Sequence, residues 1–108
     1  MRRLNLAPFK VKQQRAYGVV EVPYMLRDSL VAVLFAEEQR LSAVNALKND
    51  RIGNKILSCK DEVLLLEEEE YSALKAGMEA TKGFGQQDVE MIRRVLDAPQ
   101  VEVTEKPS

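Results

Sequence analysis

Histidine and tryptophan are absent from the 108 residues, and cysteine occurs once, at Cys59. Without imidazole the chain lacks the side chain that most often serves as general base near neutral pH. A zinc site of the Cys–His type needs several soft ligands, and here there is one. A lone thiol makes no intrachain disulfide, whereas small secreted domains usually depend on them, so an intracellular setting is expected. No Asp-x-Asp-x-Asp-Gly calcium loop occurs. Long apolar runs are missing as well. The longest, Leu30 to Ala36, falls far short of the ~20 residues that cross a bilayer. After Met1-Arg2-Arg3, the stretch Leu4 to Pro8 is too short and broken to serve as the core of a secretory signal.

What remains is 45% apolar and 31% charged residues, enough for a modest core in one soluble domain. The pattern predicts an α+β fold in a single domain over residues 1–103, followed by a flexible C-terminal tail, 104–108. Phe9 to Lys12 and Val20 to Tyr24 both alternate apolar with polar, the period of a half-buried strand. With Gly18 between them for a positive φ, they predict an N-terminal β-hairpin. Pro23, which has no N–H, places the second strand at a sheet edge or ends it.

Four helices are expected. The first covers about Met25–Arg40, with Leu26, Leu30, Val33 and Leu34 on one face; the β-branched content of Leu30–Phe35 also allows a strand there. Ser42 is a candidate N-cap for the second. This is either one kinked helix over about 42–58 or two short ones meeting near Asn49, with an apolar stripe of Val44, Leu47, Ile52 and Ile56. Val63–Leu66 reads as a strand or a buried helix entry. A third helix, about Glu67–Lys82, buries Tyr71, Leu74 and Met78. Gly83-Phe84-Gly85 breaks it, with Phe84 set against the core. The fourth, about Gln86–Asp97, points Val89, Ile92, Val95 and Leu96 inward and stops before Pro99. Val101–Val103 is a further short strand candidate.

Several segments have the outline of a reactive site. Ser72-Ala73-Leu74-Lys75 has the spacing of serine acyl-transfer enzymes, but the supporting elements are missing and the chain is too short for that fold. Glu67 to Glu70 lie about 100° apart around a helix and do not converge on one ion; at a helix start they complement the dipole. Gly83-Phe84-Gly85 lacks the third glycine and the preceding strand of a dinucleotide loop. Cys59 lies beside Lys60, but with no base or second thiol it reads as structural. Nothing in the composition calls for a cofactor, a metal or a small-molecule substrate.

The charges are unevenly distributed. Residues 1–60 hold 11 basic and 5 acidic side chains, a net +6, and residues 61–108 hold 5 basic and 12 acidic, a net −7. Either the two halves neutralise each other inside one fold, or they complement each other between molecules. Arg2, Arg3, Lys10, Lys12 and Arg15 precede any acid and are the candidate binding residues, for a protein partner or for nucleic-acid phosphates. Phe9 and Tyr17 among them could stack on bases.

Val22-Pro23-Tyr24 leads into a helix ending Val33-Leu34-Phe35; then come Leu41-Ser42, Glu62 to Glu67, and a helix from Tyr71 to Met78. In this order and patterning the chain resembles small proteins of tailed bacteriophages and prophages over most of residues 4–103. The resemblance implies an accessory, assembly or regulatory role in the cytoplasm of a bacterial host or in the virion, and it carries no site residue. The expectation is therefore a non-enzymatic interaction or assembly protein. It would form a homo-oligomer or join a protein partner through an apolar patch beside the first or fourth helix. The alternative is a nucleic-acid-associated regulator using the basic arm.

Overall fold

The computed structural model describes residues 1–101. It has an α+β architecture: β1 (Arg2–Asn5), β2 (Lys10–Arg15), β3 (Gly18–Pro23), α1 (Leu26–Leu34), α2 (Ala43–Ser58), β4 (Val63–Leu66), α3 (Glu68–Ala80) and α4 (Val89–Leu96). Single 3-10 turns, Glu37–Gln39 and Gln86–Asp88, precede α2 and α4.

The N-terminus is a strand. β1 pairs antiparallel with β4, Arg2 opposite Leu66 and Leu4 opposite Leu64. Alternation buries Leu4, Leu64 and Leu66 and leaves Arg3 and Leu65 outside. The second edge of β1 meets the chain after α4: Arg3 N donates to Pro99 O at 2.9 Å and Val101 N to Met1 O at 2.8 Å. The isolated bridge to β1 is Arg2–Gln100, one residue before the strand expected over Val101–Val103; Val101 itself is not in a strand and bonds Met1, and residues 102 and 103, with the tail at 104–108, lie outside the described residues.

α1 lies between α2 and α3. Its Leu30, Val33 and Leu34 are buried as the periodicity predicts, and Leu30–Leu34 is helix, not strand. It stops at Leu34, well before Arg40. Gln39 explains the early end: its Nε2 donates to Val33 O and Leu34 O, both at 3.0 Å, and so caps carbonyls that a longer helix would use. Arg40 then takes φ 49°, which reverses the chain.

α2 is one continuous helix capped by Ser42, whose Oγ accepts from Asn45 N at 3.3 Å. Its inward face differs from the expected stripe. Val44 and Leu47 are 75% and 63% exposed, and the buried positions are Asn49, Ile52, Gly53 and Ile56, spaced i, i+3, i+4 and i+7. Asn49 tolerates burial because its Nδ2 donates to Leu34 O at 2.8 Å. Arg27 reaches the far end of α2 and donates to the carbonyls of Ile56 (2.8 Å) and Cys59.

α3 buries Tyr71, Leu74 and Met78 as expected, with Gly77 as a fourth contact. The Tyr71 hydroxyl donates to Val95 O at 2.8 Å and ties α3 to α4. In α4 the inward residues are Met91 and Val95. Val89 is 45% exposed and Leu96 is also exposed, against expectation, while Ile92 sits at the rim of the core. Phe84 packs against the core edge as expected.

Candidate functional site

The hairpin is built as the alternation predicts, with longer strands and a two-residue turn, Ala16-Tyr17. Gly18 takes φ 129° at the turn, where a Cβ would be strained. None of residues 10–23 is buried. Tyr17 and Val19 are 80% and 59% exposed. One face carries Val11, Gln13 and Arg15 opposite Val22, Val20 and Gly18; the other carries Lys10, Lys12 and Gln14 opposite Pro23, Glu21 and Val19.

The base of the ribbon is clamped to the core. Phe9 and Tyr24 stack with centroids 4.9 Å apart. The Arg94 guanidinium lies 4.6 Å over the Phe9 ring and donates to Ala7 O at 2.7 Å. The Tyr24 hydroxyl donates to Asp88 Oδ1 at 2.6 Å. Desolvation, and next the hydrogen bond to Asp88, push Tyr24 up to about 12. Beside this base lies a cleft of about 600 Å³, with Phe9, Lys10, Val11 and Lys12 on one wall and Gln86, Gln87, Val89, Glu90 and Arg93 on the other. Glu90 accepts from Arg93 Nη1 at 3.0 Å and from Arg94 Nε at 2.9 Å, and the Arg94 bond above all holds its carboxyl below the usual range.

The five candidate cations do not form one patch. Arg2 is tied down: its Nε donates to Glu68 at 3.2 Å, its Nη1 to Ala98 O at 3.0 Å, and its guanidinium lies 4.6 Å over the Tyr71 ring. Arg3 is exposed on the outer face of β1, in the other sheet. Lys10 and Lys12 project from one hairpin face, and Arg15 from the other, where its Nε donates to Gln13 Oε1 at 2.8 Å. Only Lys10 and Lys12 reach the cleft. The facing wall was missed because Val89 has the spacing of a core position. The usable signal was Glu90-x-x-Arg93-Arg94, whose charges belong on a solvated face.

Other suggestive segments are dispersed. Ser72 and Lys75 are both exposed on α3. Glu68, Glu69 and Glu70 turn to three different cations, Arg2, Lys48 and Lys55. Cys59 packs at the core edge, its Sγ 3.5 Å from Asp61 O. Among the described residues no group of three or more Cys, Asp or Glu is placed to hold a metal ion. No helix among them is long and apolar enough to cross a membrane. No protein-family model, no curated protein and no solved structure matches the chain.

Proposed function

We propose that this protein acts without bond chemistry of its own, as a protein-interaction or assembly accessory factor whose contact element is the β2–β3 hairpin. One observation carries the reading: fourteen residues, 10–23, form a paired ribbon that buries none of its side chains yet is anchored at its base by Phe9, Tyr24, Asp88 and Arg94. A two-stranded ribbon is at best marginally stable alone in water, and a partner laid along it supplies the missing contacts. Tyr17 at the tip offers the large amphipathic side chain that interfaces favour. Burial and the Asp88 bond raise the Tyr24 pKa, and cation hydrogen bonds lower those of Glu69 and Glu90, so these three groups move away from neutrality, where general acid–base catalysts work best. The accessory role in a tailed phage or prophage, in the host cytoplasm or on the virion, rests on the resemblance alone.

A second reading has its own observation. The ribbon is of a size that enters a DNA major groove, and it carries Lys10, Lys12 and Arg15. With Arg2 paired to Glu68, three cations give a slope of about −3 in log K against log salt, too shallow for a main binding mode. A photo-reactive residue placed at Tyr17, and at Ser72 on α3 as control, separates the readings in cells that make the protein. A discrete protein adduct from position 17 and not from 72 is expected. No adduct, or an adduct with nucleic acid alone, refutes the proposal.

A further inference from the structure

We infer that the outer edge of β2 is the docking strand for an acidic, extended segment of another protein. The inference rests on the hairpin as contact element and names what that element recognises. Tyr24 N donates to Phe9 O at 3.0 Å, so Phe9 and Tyr24 form a hydrogen-bonded pair. Such pairs alternate with non-bonded ones along an antiparallel ladder. In the observed register the bonded pairs are therefore Val11–Val22, Gln13–Val20 and Arg15–Gly18. The backbone groups of Lys10, Lys12 and Gln14 point away from β3, towards the free edge.

The cleft lies along that edge. It takes four consecutive residues from Phe9 to Lys12 and none from β3. A hollow over a face takes residues from both strands, as does a smaller one of about 280 Å³ bordered by Val11, Gln13 and Val22. Two of the other edges are less open. On β3 the outward position nearest the core is Pro23, which has no N–H to offer. The second edge of β1 already meets Pro99 and Val101.

Charge selects the occupant. Among the described residues neither Lys10 nor Lys12 makes an ion pair, although Glu21 stands opposite Lys12 in the ladder; across the cleft Glu90 is taken up by Arg93 and Arg94, so the lysines leave the edge side net positive. Pairing with the β2 edge of a second copy is disfavoured, because two such edges meeting antiparallel bring lysines together. A strand alternating carboxylates with small apolar side chains meets the lysines with one set and Val11 and Val89 with the other.

The test uses the full chain, isotope-labelled for amide spectroscopy, and a short blocked peptide alternating glutamate with valine. A lysine-for-glutamate analogue and duplex DNA serve as competing probes. With the acidic peptide, the amides of Lys10, Lys12 and Gln14 are expected to shift and exchange more slowly. Those of Val11, Gln13 and Arg15, already bonded to β3, are expected to hold. The double variant Lys10→Glu, Lys12→Glu should weaken the acidic peptide by about tenfold or more and admit the lysine analogue. Lys12→Pro removes an outward donor without breaking the β2–β3 ladder and should abolish the slowed exchange at Gln14. Equal binding of both peptides, no binding at millimolar concentration, or DNA moving the same amides at lower concentration overturns the inference. If the Tyr17 adducts persist when the peptide fails, only the acidic-strand assignment falls; if they are lost too, the hairpin reading falls with it.

Discussion

Two helical glycines on opposite sides of α1 are predicted to respond to alanine with opposite signs. In an exposed helix interior, Gly→Ala stabilises by about 1 kcal/mol through propensity alone. At Gly53 of α2 the added Cβ meets Val31 Cγ2 at 3.5 Å and Leu34 Cδ1 at 3.9 Å, both ordinary contacts. Most of the propensity gain should survive, about 0.5–1 kcal/mol. At Gly77 of α3 the Cβ falls 2.6 Å from Val33 O, 2.9 Å from Gln39 Nε2 and 3.2 Å from Val33 Cγ1. The nearest atom is backbone and cannot swing aside. Ordinary contact requires α1 to retreat by about 0.8 Å, and α1 carries Leu30, Val33 and Leu34 in the core. Overpacking of this kind costs about 1–3 kcal/mol, and displacing Gln39 from its carbonyls adds about 1 kcal/mol. Against the propensity gain, Gly77→Ala should lose about 2 kcal/mol, or about 10 °C in Tm for a chain of this length. Urea unfolding followed by far-ultraviolet dichroism, with unchanged m-value, measures both variants. Gly77→Ala matching the parent, or Gly53→Ala losing as much as Gly77→Ala, refutes the account of how α1 is packed.

Tyr24→Phe removes the bond to Asp88 and should cost about 1 kcal/mol at neutral pH, after allowance for solvent around a partly exposed phenol. Folding raises the Tyr24 pKa from 10.0 to about 12, so its contribution is full below pH 10 and fades as pH rises towards 12. The stability gap between parent and Tyr24→Phe should therefore shrink across that interval, and a constant gap in denaturant titrations would contradict it. Asn49→Ala and Gln39→Ala both remove donors from Leu34 O. Each should destabilise by about 1–2 kcal/mol, and the double variant should lose more than their sum, because the buried carbonyl then keeps no side-chain donor. Strict additivity in the double-mutant cycle would show that the shared acceptor does not couple them.

How far the molecule was legible depended on whether its partners were local. The hairpin could be read from Val11, Val20, Val22 and Gly18 because both strands and their turn lie within a few residues of one another. β1 could not, because Arg2 meets Leu66 and Arg3 N meets Pro99 O, and no short window of sequence contains those pairs. In α2 the span, the Ser42 cap and the burial of Ile52 and Ile56 were legible, but its first half was misread for a different reason. Asn49 and Gly53 are poor helix formers and look like a break, while Val44 and Leu47 look like a core stripe. Against α1 the need is for a small residue beside Val31 and an amide donor for Leu34 O, so packing overrode both propensity and hydropathy. The same limit applied at the cleft: Lys10 and Lys12 were identifiable as solvated cations, but nothing local assigned Val89 and Arg93 to the wall opposite them.

The division of charge between the two halves has a structural answer that bears on where a partner lands. Arg2, Lys48 and Lys55, all from the basic half, pair with Glu68, Glu69 and Glu70 of the acidic half at 3.2, 2.7 and 2.9 Å. All three pairs are reached by solvent, with Arg2 and Glu70 half-buried, and they contribute modestly to stability. Their effect is on the field: three carboxylates at the start of α3 are met by cations from the same molecule. The hairpin has no such compensation, with Lys10, Lys12 and Arg15 against Glu21 over residues 10–23. Its positive potential extends roughly a Debye length, about 8–10 Å in physiological salt, from a ribbon that none of the core overlies. A chain of net charge −1 thus presents its hairpin as a cation, and an acidic segment of the kind proposed would be steered there before any specific contact forms.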